Sequence, residues 1–218
     1  MTSVWELNLW QLILTGGPIM IPILICSLFS LAIIIEKFYY YTAIKTDVLS
    51  LKKNIFDQIK NNKIKGAIKL CDENRSPIAK ILRAGIAKFG ADRDEIKQSI
   101  EDVSLYEIPK LENRLGALAT IAHITPLLGL LGTVTGMTIS FHTIQERAAS
   151  LNPVTPGDLA GGIGSALLTT VAGLMIAIPT YVAYNFFVGK TNQITLEMER
   201  AATELINYLS HSSEMPHE

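Results

Sequence analysis

Three apolar runs and one strongly charged stretch alternate along the chain of 218 residues. The first run, Ile19 to Ile35, closes with Glu36-Lys37 and an aromatic belt, Tyr39-Tyr40-Tyr41. At about 1.5 Å of rise per residue, a helix over it reaches across a hydrocarbon core. Thr15-Gly16-Gly17-Pro18 breaks the chain ahead of it, and Pro18 suits a helix start. A first span over 18–41 follows, with 1–17 outside it; Trp5 and Trp10 there suit a membrane interface. The second and third runs, Leu115 to Gln145 and Leu159 to Gly189, hold 31 residues each and no Asp, Glu, Lys or Arg. Each reaches about 46 Å as a helix, against a core of about 30 Å. Both helices are therefore expected to continue past the bilayer into the cytoplasm.

Residues 42–114 break this pattern with 15 Lys+Arg and 11 Asp+Glu. Their apolar positions recur at helical spacing. Val48, Leu51, Ile55 and Ile59 form one stripe, with Thr46 or Asp47 as N-cap, and Ile64, Ala67, Ile68 and Cys71 form a second. Ser76-Pro77 has the form of N-cap and N1 before Ile78, Ile81, Leu82, Gly85, Ile86 and Phe89. Asp92 with Glu95 has the spacing of a capping box before Ile96, Ile100 and Val103. These stripes predict a small helical soluble domain. A further stripe, Ile194, Met198, Ala201, Leu205 and Leu209, predicts a helix in the tail, 190–218.

Within the second run, Gly129, Thr133, Gly136 and Ser140 recur at helical spacing, as do Gly132 and Gly136. In the third, Gly161, Ser165, Thr169, Gly173 and Ala177 form an i, i+4 row that Thr180 continues, with Thr170 beside it. Small residues at that spacing let helix backbones approach closely in lipid. The two helices are thus expected to pack on each other, or on copies of themselves, through seams that hold hydroxyls. Pro126 and Pro179 each remove a helix donor and free the carbonyls of Ala122 and Met175, so each is expected to kink its helix.

Charge then sets orientation. Lys45, Lys52 and Lys53 flank the first run, Lys110 and Arg114 precede the second, and Arg147 is the only basic residue between the second and third. The positive-inside rule places 42–114 and 190–218 in the cytoplasm, and 1–17 and the loop 146–158 on the other side. No basic segment precedes the first run, so a cleaved signal peptide is not expected. Cys26 and Cys71 offer neither a disulfide framework nor a metal-ligand spacing. Interspersed signs in 42–114 speak for a solvated face and against nucleic acid. No nucleophile–base pair, metal cluster, cofactor motif or phosphate loop occurs, which argues against an enzyme. The polar groups inside the runs are hydroxyls, Asn185 and His123; His123 suits an interfacial hydrogen bond.

Pro126-Leu-Leu-Gly-Leu-Leu-Gly-Thr-Val-Thr-Gly136, Gly162-Ile-Gly-Ser-Ala-Leu-Leu-Thr-Thr-Val-Ala-Gly173 and Ala177-Ile-Pro-Thr-Tyr-Val-Ala-Tyr-Asn185 together resemble the MotA/TolQ/ExbB proton channel family, on its ExbB/TolQ branch. The resemblance is specific over Leu115–Asn185 and matches the rest in layout. It implies an all-α membrane protein of three spans: a homopentamer in the bacterial inner membrane, around a central pore. It implies a two-copy, single-span partner of the ExbD/TolR kind, whose intramembrane Asp carries the proton, and a TonB-like or TolA-like transducer beyond it. Such complexes couple the proton motive force to periplasmic work. The family's pore threonines fall on Thr133 and Thr170. Many relatives have Glu where this chain has Ser165, so a hydroxyl-rich path of Thr133, Ser165, Thr169 and Thr170 leaves Na⁺ open. A flagellar-type stator and a non-conducting scaffold are the competing readings.

Overall fold

The computed structural model describes residues 15–44, 48–61, 63–74, 76–151, 153 and 155–213. Regular structure among them is helical: α1 (Met20–Ile44), α2 (Val48–Lys60), α3 (Ile64–Glu73), α4 (Pro77–Ile86), α5 (Arg93–Glu112), α6 (Leu115–Ala149) and α7 (Pro156–Ser213). Three stretches, carried by α1, α6 and α7, are long and apolar enough to cross a membrane. The chain divides into an apolar unit, Met1–Ile35 with Arg114–Asn185, and a charged unit, Glu36–Asn113 with Phe186–Glu218.

The charged unit is a helical bundle assembled from the predicted stripes. Leu51, Ile55 and Ile59 of α2, Ala67 and Cys71 of α3, Ile81 and Leu82 of α4, and Ile96 and Ile100 of α5 are buried in one core. Consecutive helices pack in order, α2 on α3, α3 on α4 and α4 on α5. The fifth side is the end of α7. Its Met198, Ala201, Leu205 and Leu209 are buried in the same core, so the tail stripe completes the domain. Tyr208 of α7 meets Phe56 of α2 edge-on at 5.7 Å, and Asn207 accepts from Arg93 at 3.1 Å. Burial pushes the Cys71 thiol up to about 11, so it stays protonated at neutral pH.

Caps follow the sequence at one site and not at another. Ser76 is the N-cap of α4: its hydroxyl accepts from the Ala79 amide at 3.2 Å, with Pro77 in the first turn. The capping box at Asp92 does not form. Asp92 holds the N-cap backbone position, but its carboxylate makes no cap hydrogen bond, and Glu95 lies 3.8 Å from Lys88 instead. α4 ends at Ile86, leaving Phe89 in a turn and 41% exposed. Gly90 makes that turn at φ +87, where a side chain is strained. Thr46 and Asp47 lie outside the described residues.

Element ends also differ from the sequence reading. α1 runs from Met20 to Ile44, two residues later at its start and three at its end than 18–41. Gly17, at φ 73, and Pro18 form a turn ahead of it. Its last turns continue because Tyr40, Tyr41 and Ile44 pack on the charged core. Lys37, 3% exposed, donates to the Leu111 carbonyl at 2.8 Å and caps the end of α5 with a cation. α6 reaches Ala149 and α7 begins at Pro156, so the segment between them is shorter than 146–158.

In the apolar unit large side chains point outward. Leu28, Leu127, Phe141 and Met175 are each more than three-fifths exposed. A water-soluble fold would bury such groups; in lipid they cost nothing. Between Ala122 and Thr180 the buried residues are the small ones.

Candidate functional site

α6 and α7 pack antiparallel along a seam of small residues. From α6 come Thr125, Gly129, Gly132, Gly136 and Ser140, all buried. From α7 come Gly162, Ala166, Thr169, Gly173, Ala177 and Thr180, buried but for the half-buried Gly162. A Cβ on Gly173 would lie 2.8 Å from the Thr125 carbonyl, and one on Gly136 would lie 2.8 Å from the Gly162 carbonyl. A Cβ on Gly129 would lie 3.0 Å from Thr170 Cα, and one on Gly132 would collide with the Thr169 hydroxyl. These glycines set the helix separation because backbone faces backbone.

The seam mixes steps of three and four, not four alone: 4, 3, 4, 4 along α6 and 4, 3, 4, 4, 3 along α7. An i, i+4 row drifts about 40° per step, whereas interposed steps of three bring the row back to one side of the helix. Of the expected rows, Gly129, Gly132, Gly136, Ser140, Thr169, Gly173 and Ala177 lie in the seam. Gly161 is exposed with nothing within 4 Å of a Cβ, and Gly162 holds the seam position beside it. Thr133 and Ser165 lie half-buried at the seam's edges.

The hydroxyls divide by position. Thr169 is 1% exposed and donates to the Ala166 carbonyl at 2.7 Å, inside the seam. Thr170 crosses between helices, donating to the Gly129 carbonyl at 3.1 Å. Thr133 donates to Leu130 of its own helix at 2.7 Å. A hydroxyl has one proton and two lone pairs, so Thr133 and Thr170 keep acceptor oxygens to spare. Ser165 has no hydrogen-bond partner among the described residues. Both helices continue through their prolines, Pro126 and Pro179. Beside each proline a threonine donates back into its helix: Thr125 to Ile121 at 2.6 Å and Thr180 to Ile176 at 2.7 Å. His123 is exposed, its ring 6.0 Å from that of Tyr181, and Asn185 donates to the Tyr181 carbonyl.

The sequence reading missed Thr125, Gly162 and Ala166 as seam members. Their signal was the heptad-like spacing, which reaches all three once steps of three are allowed.

The arrangement is a rigid helix pair with no ionised side chain along it, able to bound a path and unable to relay a proton by its own carboxylate. Residues 73–200, which include the whole seam, match a model of the MotA/TolQ/ExbB proton channel family. A putative biopolymer transport protein ExbB-like 3 of Synechocystis sp. is 31% identical over 80% of this chain and 82% of its own. The biopolymer transport protein ExbB of Aquifex aeolicus is 33% identical over 54% of this chain and 76% of its own. The Tol-Pal system protein TolQ of Pseudomonas aeruginosa is 32% identical over 55% of this chain and 54% of its own.

Proposed function

This chain belongs to the MotA/TolQ/ExbB proton channel family, and on that premise we propose that it is the ring-forming stator subunit of an ion-driven motor in the bacterial inner membrane. Five copies surround the membrane helices of an ExbD/TolR-like dimer, whose Asp carries the ion. The assembly couples the proton motive force to periplasmic work, through a TonB-like or TolA-like transducer, and performs no enzymatic reaction. The observation that carries this reading is the seam: two long uncharged helices locked by backbone contact, with hydroxyl oxygens at their edges. Such helices supply walls and acceptors, and a partner must supply the titrating charge. Residues 1–17 and 146–158 lie in the periplasm, and 42–114 and 190–218 in the cytoplasm.

Ion flux into proteoliposomes, with and without the single-span partner, tests this. H⁺ flux that needs both proteins is expected. A stable complex that passes neither H⁺ nor Na⁺ would leave only a scaffold. The unpartnered Ser165 hydroxyl favours one second reading, Na⁺ coupling, which flux under a Na⁺ gradient alone would reveal.

Thr133 and Thr170 are assigned to the ion path through their free lone pairs. Thr133→Ala and Thr170→Ala are each expected to lower partner-dependent flux severalfold while the ring persists, since a membrane hydrogen bond is worth only about 0.6 kcal/mol. Full flux in both variants, with oligomer size checked by native mass spectrometry, would remove them from the path.

A further inference from the structure

The two flanks of the charged unit carry opposite charge. At about 100° per residue, the face of α5 opposite its buried Ile96, Ile100 and Leu111 presents Asp94, Asp102 and Glu112, with Glu101 at its rim, 3.7 Å from Lys97. Leu105 stands near its middle and Tyr106 at its edge, 72% and 73% exposed. An exposed Leu–Tyr pair with a charged rim has the anatomy of a protein contact. Asp94 and Asp102 form no ion pair among the described residues, and they line a recess of about 340 Å³ together with Lys88, Glu95, Gln98 and Ser99.

α2 and α3 are the converse. Residues 48–70 hold six lysines and one acid, Asp57. Lys52 pairs with Glu204, and Lys69 lies 3.9 Å from Glu73. Lys53, Lys60, Lys63 and Lys65 are exposed and unpaired among the described residues.

The packing order keeps these faces apart. α2 follows α7 around the core, then α3, α4 and α5, and α5 returns to α7. The α2–α3 edge therefore lies across the bundle from α5, and neither face can neutralise the other within one copy. Unlike, complementary faces on opposite flanks make a heterologous contact, the kind that closes into a ring. We propose that the acidic α5 face of each copy, centred on Leu105 and Tyr106, docks on the lysine-rich α2–α3 face of the next copy. This rests on the ring reading above and names its contact in the charged unit. An anionic lipid surface would suit the lysines, but it would repel α5 and leave Leu105 and Tyr106 uncovered. A second copy satisfies both faces at once.

The test uses the full chain in mild detergent. Equal parts of isotopically heavy and light protein are mixed during reconstitution and treated with a zero-length carbodiimide. Heavy–light cross-links joining Asp94 or Asp102 to Lys53, Lys60, Lys63 or Lys65 are expected. The Asp94→Lys/Asp102→Lys variant and the Lys60→Glu/Lys65→Glu variant should each lower the ring population at least tenfold, since each sets like charges against one another across the contact. Joining the four substitutions in one chain should restore the ring, since every contact then sets Lys against Glu, and unchanged thermal unfolding of each variant should show that the bundle is intact. Rings that persist in both variants, without those cross-links, overturn the docking and leave the ring reading standing. Wild-type protein that is monomeric by native mass spectrometry overturns both. Lysine variants that lose only binding to vesicles containing phosphatidylglycerol overturn it in favour of lipid.

Discussion

Glu107 is the one acid buried among the described residues, 5% exposed, and Lys80 and Lys110 donate to its carboxylate at 2.8 and 2.5 Å. Burial pushes its pKa up, but the hydrogen bonds and charges of the two lysines outweigh that and hold it below the ordinary value of 4.5. A lowered native pKa contributes stability above the unfolded value, and that stability is lost as pH falls through the native one. Glu107→Gln should therefore destabilise the charged unit by about 1 kcal/mol at pH 7. The gap from wild type should begin to shrink near pH 4.5 and close below the native pKa. Thermal unfolding across pH checks this, and a constant gap would count against it. The caps give a second contrast at this scale. Ser76→Ala should cost about 1 kcal/mol, because it removes an observed bond to Ala79. Asp92→Ala should cost much less, because no such bond exists there. Ser76-Pro77 was readable from sequence since proline restricts the backbone locally. Asp92 was not, since a carboxylate on the surface is free to stay in water, and Lys88 holds Glu95 nearby.

Among the elements, the seam decides how closely α6 and α7 approach. Gly173→Ala and Gly136→Ala each drive a Cβ against a carbonyl that cannot move aside. Each should cost about 1–3 kcal/mol, seen as a lower melting temperature in detergent and loss of ion flux. Gly161→Ala meets open space and should match wild type unless a neighbouring copy covers that face. Equal effects at all three positions would mean that the seam does not set the packing. Spacing alone showed that small residues line both helices, through Gly129, Gly132 and Gly136 in one and Gly161 and Gly173 in the other. Which small residues meet was not readable. Interhelical approach favours a period near 3.5, and only a partner reveals where a row changes step. That is why Gly162 takes the seam position beside Gly161.

At the scale of the molecule, α7 belongs to both units, its first part in the seam and its last in the charged core. The tail stripe was readable from its spacing. That it closes the domain of 42–114 was not, because its partners lie about a hundred residues earlier in the chain. Truncation after Lys190 spares all three apolar runs but removes Met198, Ala201, Leu205 and Leu209 from the core. Trypsin should then cut within α2–α5 rapidly, whereas a chain ending at Ser213 should resist as wild type does. Resistance of the shorter chain would show that α2–α5 hold together unaided.

The same closure sets a timetable for synthesis. Ile55, Ile81 and Ile100 leave the ribosome long before Met198 and Leu205 do. At about 5–20 residues per second, the bundle waits roughly 5–20 s for its last wall. During that interval α6 and the start of α7 must enter the membrane, while the unfinished core stays open to other apolar chains. A delay between the third span and the tail therefore prolongs the period of greatest risk of aggregation, although no residue of the finished fold has changed.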